Sequence, residues 1–150
     1  MSRYWLFILV PALFFGFFAY RTYAPQTPTA TFGGVSLTLE YALTPEARER
    51  GLGGRKSLPY NHGMLFAFPT SDYHGFWMKD TLVPLDLFWL NDQGQVVWIQ
   101  KDVAPSSYPN VFKPVAPARY VLETLAGFAR AHAIATGTPL LLKKFPSVLQ

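Results

Sequence analysis

Residues 63–90 read GMLFAFPTSDYHGFWMKDTLVPLDLFWL, and this stretch narrows the choice of folds more than any other part of the chain. It carries Phe66, Phe68, Phe76, Trp77, Phe88 and Trp89, yet Pro69, Gly75 and Pro84 cut it into pieces too short for helices. Short apolar runs rich in aromatic residues and bounded by turn residues are strands. Aromatic area this dense has to be buried, since each such side chain removed from water contributes roughly 1.5–3 kcal/mol.

Within the stretch, Leu85, Leu87 and Trp89 alternate with Asp86, Phe88 and Leu90. A strand sends alternate side chains to opposite faces, so Asp86 shares a face with Phe88 and Leu90. A carboxylate on an apolar face is paired, hydrogen-bonded or partly neutralised. The expectation is that a cation holds it, Arg55 first and Lys79 second.

The rest of the chain continues the pattern. Val35, Leu37, Leu39 and Tyr41 alternate with polar residues after a Gly33-Gly34 turn. Thr44-Pro45-Glu46 opens a short helix with a cap, a proline at the first helical position and an acid in the first turn, and Gly51 closes it. Residues 84–90 and 95–103 form a hairpin about the turn at 91–94, and the proline-rich residues 104–117 form a loop whose Tyr108 and Phe112 either cover a site or pack beneath it. Residues 119–125 are a strand in which Glu123 shares a face with Val121 and Leu125; a short helix within 126–135 and a strand at 138–143 follow. Short strands, turns and two minor helices predict a mainly β domain, a single compact sandwich or partly closed barrel.

The blocks Gly63-Met64-Leu65-Phe66, Phe76-Trp77-Met78-Lys79-Asp80-Thr81 and Pro84-Leu85-Asp86 carry a resemblance. With Arg50-Gly51-Leu52, Arg55 and Ser57-Leu58 upstream, and Tyr120-Val121-Leu122-Glu123 and Ala126-Gly127 downstream, the chain resembles the domain of unknown function 192 family over residues 35–143. The resemblance implies a jelly-roll-like arrangement and no assigned activity. Two positions depart from the usual family pattern: Gly53 stands where Met is usual and Asp80 where Asn is usual.

Residues 4–20, YWLFILVPALFFGFFAY, carry no charge and lie between Arg3 and Arg21. A helix of this length spans roughly 25 Å against a hydrocarbon core of about 30 Å, and Tyr4, Trp5, Tyr20 and Tyr23 mark the two interfaces. A cleavage site after Ala24 or Ala30 is disfavoured by Pro25 and Pro28, so an uncleaved anchor is expected in preference to a signal peptide and a secreted product. The division is residues 1–21 as anchor or signal, 22–31 as a Pro-containing spacer and 32–150 as the β domain. The positive amino terminus points inward, which places the domain outside the cytoplasm. The absence of cysteine excludes disulfides, a thiol nucleophile and cysteine metal sites.

Of the net charge of +4, Arg3 and Arg21 carry two, so the domain is nearly neutral and its basic residues are scattered apart from 48–56 and 143–144. Nucleic-acid binding has no electrostatic footprint here. Arg48, Arg50, Arg55 and Lys56 beside Gly51, Gly53 and Gly54 can hold an anion, although no Walker or dinucleotide pattern accompanies them. His62, His74 and His132 lack ligand spacing, so neither a metal nor a cofactor is expected.

The favoured function is a non-enzymatic module that binds a small ligand or an envelope partner, tethered through residues 4–20, with Arg55, Lys79, Asp80, Asp86 and Glu123 as the binding candidates. The alternative is a hydrolase of envelope polysaccharide, in which Asp86 and Glu123 act as an acid pair and Trp77, Trp89 and Tyr120 stack on sugars.

Overall fold

The computed structural model describes residues 27–148. The anchor assigned to residues 1–21 and the first half of the spacer, residues 22–26, therefore lie outside the described residues. Among the described residues no helix is long and apolar enough to cross a membrane.

Strands β1 (Thr29–Phe32) and β2 (Val35–Ala42) form a hairpin in which Phe32 pairs with Val35. Its two turn residues, Gly33 and Gly34, have φ of 59° and 80°, the left-handed backbone that a tight hairpin of this twist requires. The strand thus begins inside the segment assigned as spacer, because Ala30 and Phe32 find a buried face there. Helix α1 (Pro45–Arg50) starts as its sequence predicts: Thr44 Oγ1 accepts the Ala47 amide hydrogen at 3.2 Å, and Gly51 ends it. The chain then returns as β3 (His62–Asp72), parallel to β2, so α1 is the crossover of a β-α-β unit.

Strands β4 (Leu85–Leu90) and β5 (Val96–Val103) form the expected hairpin. Strand β6 (Ala118–Leu125) inserts between β3 and β4, antiparallel to both. Helix α2 (Phe128–Ala131) is shorter than the helical stretch of the sequence, and β7 (Leu140–Leu142) pairs with β1.

All seven strands form one sheet in the order β5-β4-β6-β3-β2-β1-β7. This corrects the sandwich and the jelly-roll-like arrangement, which need two sheets. The sheet curls into a half-barrel because its two edges nearly meet: Gln95 bridges Pro139, and the Leu140 amide donates to the Gly94 carbonyl at 2.9 Å. Phe32, Leu37, Leu39, Leu65, Phe88, Leu122 and Phe128 fill the inside of the curl. The outer face bears a second core of Phe66, Leu85, Leu87, Trp89 and Val121, covered by Leu52, Leu58, Phe76, Met78 and Val83 from the connecting segments. With apolar residues on both faces, every side chain of β4 is buried, Asp86 included.

The segment 75–78 contributes no strand of its own, only a bridge from Phe76 to Phe112 with amide hydrogen bonds of 2.9 and 2.8 Å in the two directions. Phe112 is thereby pinned under the proline-rich loop, while Tyr108 is exposed, its ring 6.0 Å from that of Trp77.

Candidate functional site

Strand β6 delivers Glu123 to the outer face, between Met64 of β3 and Leu87 of β4. Its residue exposure is 5 %, and Oε2 is buried without any hydrogen-bond partner among the described residues. Burial pushes its carboxyl up to about 8, so near neutral pH the group holds its proton. Two apolar neighbours on adjacent strands give no donor, and the next layer outward is α1.

The end of α1 passes directly over this carboxyl. Gly51 has φ of 48°, and a Cβ there would lie 3.3 Å from the Phe66 ring and 3.8 Å from Glu123 Oε2, so the backbone closes on the acid where a side chain would crowd it. Between α1 and the sheet is a cavity of about 240 Å³ with Glu123 in its lining. Its walls are aromatic, from Phe66, Phe68, Phe76 and Trp77. Its basic residues are Arg48 and Arg50 of α1 and Lys79 of the connection between β3 and β4.

Each wall has its own support. Arg48 Nη1 donates to the carbonyls of Leu43 and Ala67 at 2.7 and 3.0 Å and lies over the Phe68 ring, which ties α1 to β3. Phe76 stands edge-on to Phe66 and to Trp89, with centroids 4.9 and 5.9 Å apart, and the Trp89 indole donates to the His74 carbonyl at 2.8 Å. Trp77 is 43 % exposed, with Lys79 Nζ 5.7 Å from its ring centroid. Lys79 also reaches Glu49, at 4.0 Å. Among the described residues Arg50 makes no ion pair.

Of the five binding candidates, Lys79 and Glu123 meet in this cavity. Asp80 lies beside it, in an open depression shared with Glu46, Arg50 and Lys79. Its φ of 55° is a left-handed conformation that Asn and Asp tolerate better than other residues with a Cβ, and its carbonyl accepts the Gly54 amide hydrogen at 2.8 Å. Replacement of the family's usual Asn therefore leaves the local backbone intact.

Arg55 and Asp86 belong elsewhere, and the expected pair between them is not formed. Asp86 accepts the amide hydrogens of Asp102 and Ala129, each at 2.8 Å, one on either carboxylate oxygen. Two backbone donors therefore replace the expected cation. Arg55 instead forks onto Glu40 at 2.6 and 2.7 Å, and His62 Nε2 lies 2.7 Å from the same carboxylate. The Arg55 hydrogen bonds, followed by that of His62, overcome partial burial and hold Glu40 down at about 2. His62 is thus a partner of Glu40, whereas His74 meets a backbone carbonyl, that of Thr70, at 3.1 Å.

The acid pair of the hydrolase reading is also overturned. In the β4–β6 register Asp86 pairs with Thr124 and Leu87 with Glu123, so the two acids point to opposite faces of one sheet. They cannot flank one bond. Tyr120 and Trp89 are buried core rings, which leaves Trp77 as the exposed member of the stacking set. Among the described residues no three His, Asp or Glu side chains gather as a metal-ligand set. Arg48, Phe68 and Gly51 complete the cavity; of these, only the Gly-rich basic segment carried a signal in the sequence.

No curated protein matches the chain. Two solved structures are similar to it. One is a candidate transcription regulator from Sinorhizobium meliloti, with TM-score 0.70 and 30 % identity over 75 % of this chain and 88 % of that one. The other is a protein of unknown function from Novosphingobium aromaticivorans, with TM-score 0.69 and 28 % identity over 75 % and 81 % of the two chains. The profile of the domain of unknown function 192 family, described as an uncharacterised ACR, matches residues 28–142, which takes in every described strand and both helices: the chain belongs to that family.

Proposed function

We propose that the domain is a non-enzymatic binding module, held outside the cytoplasm by a membrane anchor at residues 4–20, and that the Glu123 cavity receives a small ligand. The observation that carries this reading is the carboxyl oxygen without a partner at a buried position in the cavity lining. An unsatisfied buried polar atom costs about 1–3 kcal/mol, and a ligand group that hydrogen-bonds to it recovers that cost. Aromatic walls with a few polar groups are the usual make-up of a small-molecule site. Asp86 lies on the opposite face, and Glu40, which shares the face of Glu123 two strands away, is held by Arg55 and His62, which supports binding over acid-pair hydrolysis.

The name of the Sinorhizobium relative invites a nucleic-acid reading, but three arginines that would serve it are committed: Arg55 to Glu40, Arg119 to Asp92 and Arg130 to Asp102. Phosphate contact needs free cations gathered on one face.

The full chain in detergent, mixed with a small-molecule extract of cell envelopes, should unfold at higher temperature, because a ligand that binds only the folded state stabilises it. Mass spectrometry of the washed complex then identifies the retained molecule. The shift should vanish in Trp77→Ala and Glu123→Gln. Retention that survives both substitutions would place the ligand elsewhere, and chemical change of the ligand on incubation would make the protein an enzyme.

A further inference from the structure

The distribution of charge within the cavity limits what fits it. Glu123 is an acid without a partner, Phe66, Phe76 and Trp77 supply π faces, and Arg50 and Lys79 bring positive charge to the same space. Resting on the reading of this cavity as a binding site, we infer that its ligand is a small zwitterion. Its ammonium group meets Glu123 among the aromatic rings, and its anionic group meets Arg50 and Lys79.

Four observations converge on this class. An ammonium donates hydrogen bonds to the carboxylate and is attracted by surrounding ring faces, so one group satisfies both features of the lining. The basic residues oppose a plain amine, since a cation entering the site has to approach Arg48, Arg50 and Lys79; an anionic end cancels that repulsion. Arg50 has no acidic partner among the described residues, and Lys79 has only the Glu49 contact at 4.0 Å, so both can receive an anion. The volume of about 240 Å³ lies below the roughly 300–1,000 Å³ of drug-sized sites, which suits a short metabolite.

Binding of an ammonium requires the carboxylate form of Glu123. The charged groups that share its cavity are Arg48, Glu49 and Arg50 from α1 and Lys79 from the loop, whereas its strand neighbours Met64 and Leu87 do not titrate. Without ligand the buried carboxyl keeps its proton near neutral pH. Entry of the ammonium therefore expels one proton to solvent, a signature that a neutral hydrogen-bond acceptor or a simple anion would not give.

The test is calorimetric titration of the full chain in detergent near neutral pH, in two buffers of different ionisation heat. The probes are straight-chain amino acids of increasing length, from glycine to aminohexanoate, with aminomethylbenzoate and the matched amines and carboxylates. At least one zwitterion should bind about tenfold or more tightly than both its matched amine and its matched carboxylate. Its binding heat should differ between the buffers by the release of about one proton. Glu123→Gln should abolish the proton release and the advantage over the matched carboxylate, and Arg50→Ala with Lys79→Ala the advantage over the matched amine. Carboxylates that bind as tightly as the zwitterions, binding without proton release, or no binding by any probe at millimolar concentration would each overturn the inference. Failure of the whole series while an envelope molecule is retained with sensitivity to Trp77→Ala rejects the zwitterion alone; failure of both rejects the cavity as the site.

Discussion

Asp86 and Glu123 sit on neighbouring strands one residue out of step, so Asp86 faces into the curled sheet and Glu123 faces away from it. One acid is a structural fastener with two amide donors; the other has none among the described residues. The consequences for stability are opposite and measurable.

Glu123 should make the protein less stable as pH rises. Its folded value of about 8 lies above the model-peptide value of 4.5, so between the two the folded state holds a proton that the unfolded state has lost. Stability is then highest below about pH 4.5 as far as this group is concerned and declines up to about pH 8, by a few kcal/mol at most. Urea titrations across this range should show the slope in the wild type and its removal in Glu123→Gln. Parallel curves for the two proteins would mean that the native carboxyl is ionised.

Asp86→Asn should cost about 1–3 kcal/mol, because an amide offers one acceptor to two inward-pointing N–H groups and sets its own NH2 against the other. Asp86→Ala should cost more, since both the Asp102 and the Ala129 amide lose their acceptor. A double-mutant cycle of Asp86→Asn with Arg55→Ala should be additive within about 0.5 kcal/mol. A larger coupling would place Arg55 at Asp86 after all.

Arg55 should instead couple to Glu40. The pair is about one-third exposed, so solvent screening limits the coupling to roughly 0.5–1 kcal/mol. Here the folded carboxyl lies below its ordinary range, so the contribution is present above about pH 4.5 and is lost as pH falls toward about 2. Glu40→Gln and Arg55→Ala, measured singly and together at neutral and acid pH, give that difference directly; coupling that persists at the acid end would contradict it.

The proposed anchor leads to a topological prediction. The full-length chain should resist extraction from membranes by alkaline carbonate, and protease supplied from outside the cytoplasm should digest the domain and leave residues 4–20 embedded. A soluble product beginning near Ala30 would identify a cleaved signal. It would also remove the first residues of β1, so such a product should be less stable than the intact domain.

Much of this architecture was legible in the sequence because its signals are local. Period-two alternation placed β2, β4 and β6, Thr44-Pro45 and Gly51 bounded α1, and Asn91 with Gly94 marked the hairpin turn. The apolar company of Asp86 and Glu123 was legible for the same reason. Their relation was not, because it depends on the register between strands more than thirty residues apart. Nor was the partner of Asp86, since backbone amides look alike in every residue and the two that serve it lie 16 and 43 positions away. Arg55 finds Glu40 because the crossover lays β3 alongside β2, an arrangement no single segment announces.

That crossover decides how freely the cavity could be altered. Because α1 is the connection between two parallel neighbours, the cover over Glu123 is a segment the chain must traverse to complete its sheet, not an appended flap. Removing it would leave β2 and β3 unjoined, whereas exchanging its outward-facing residues leaves the path of the backbone alone. Arg50 on that crossover, together with the half-exposed Lys79 on the β3–β4 connection, could thus be rewritten to admit differently charged guests without renegotiating the fold, which makes this small domain a ready chassis for designed receptors of short polar molecules.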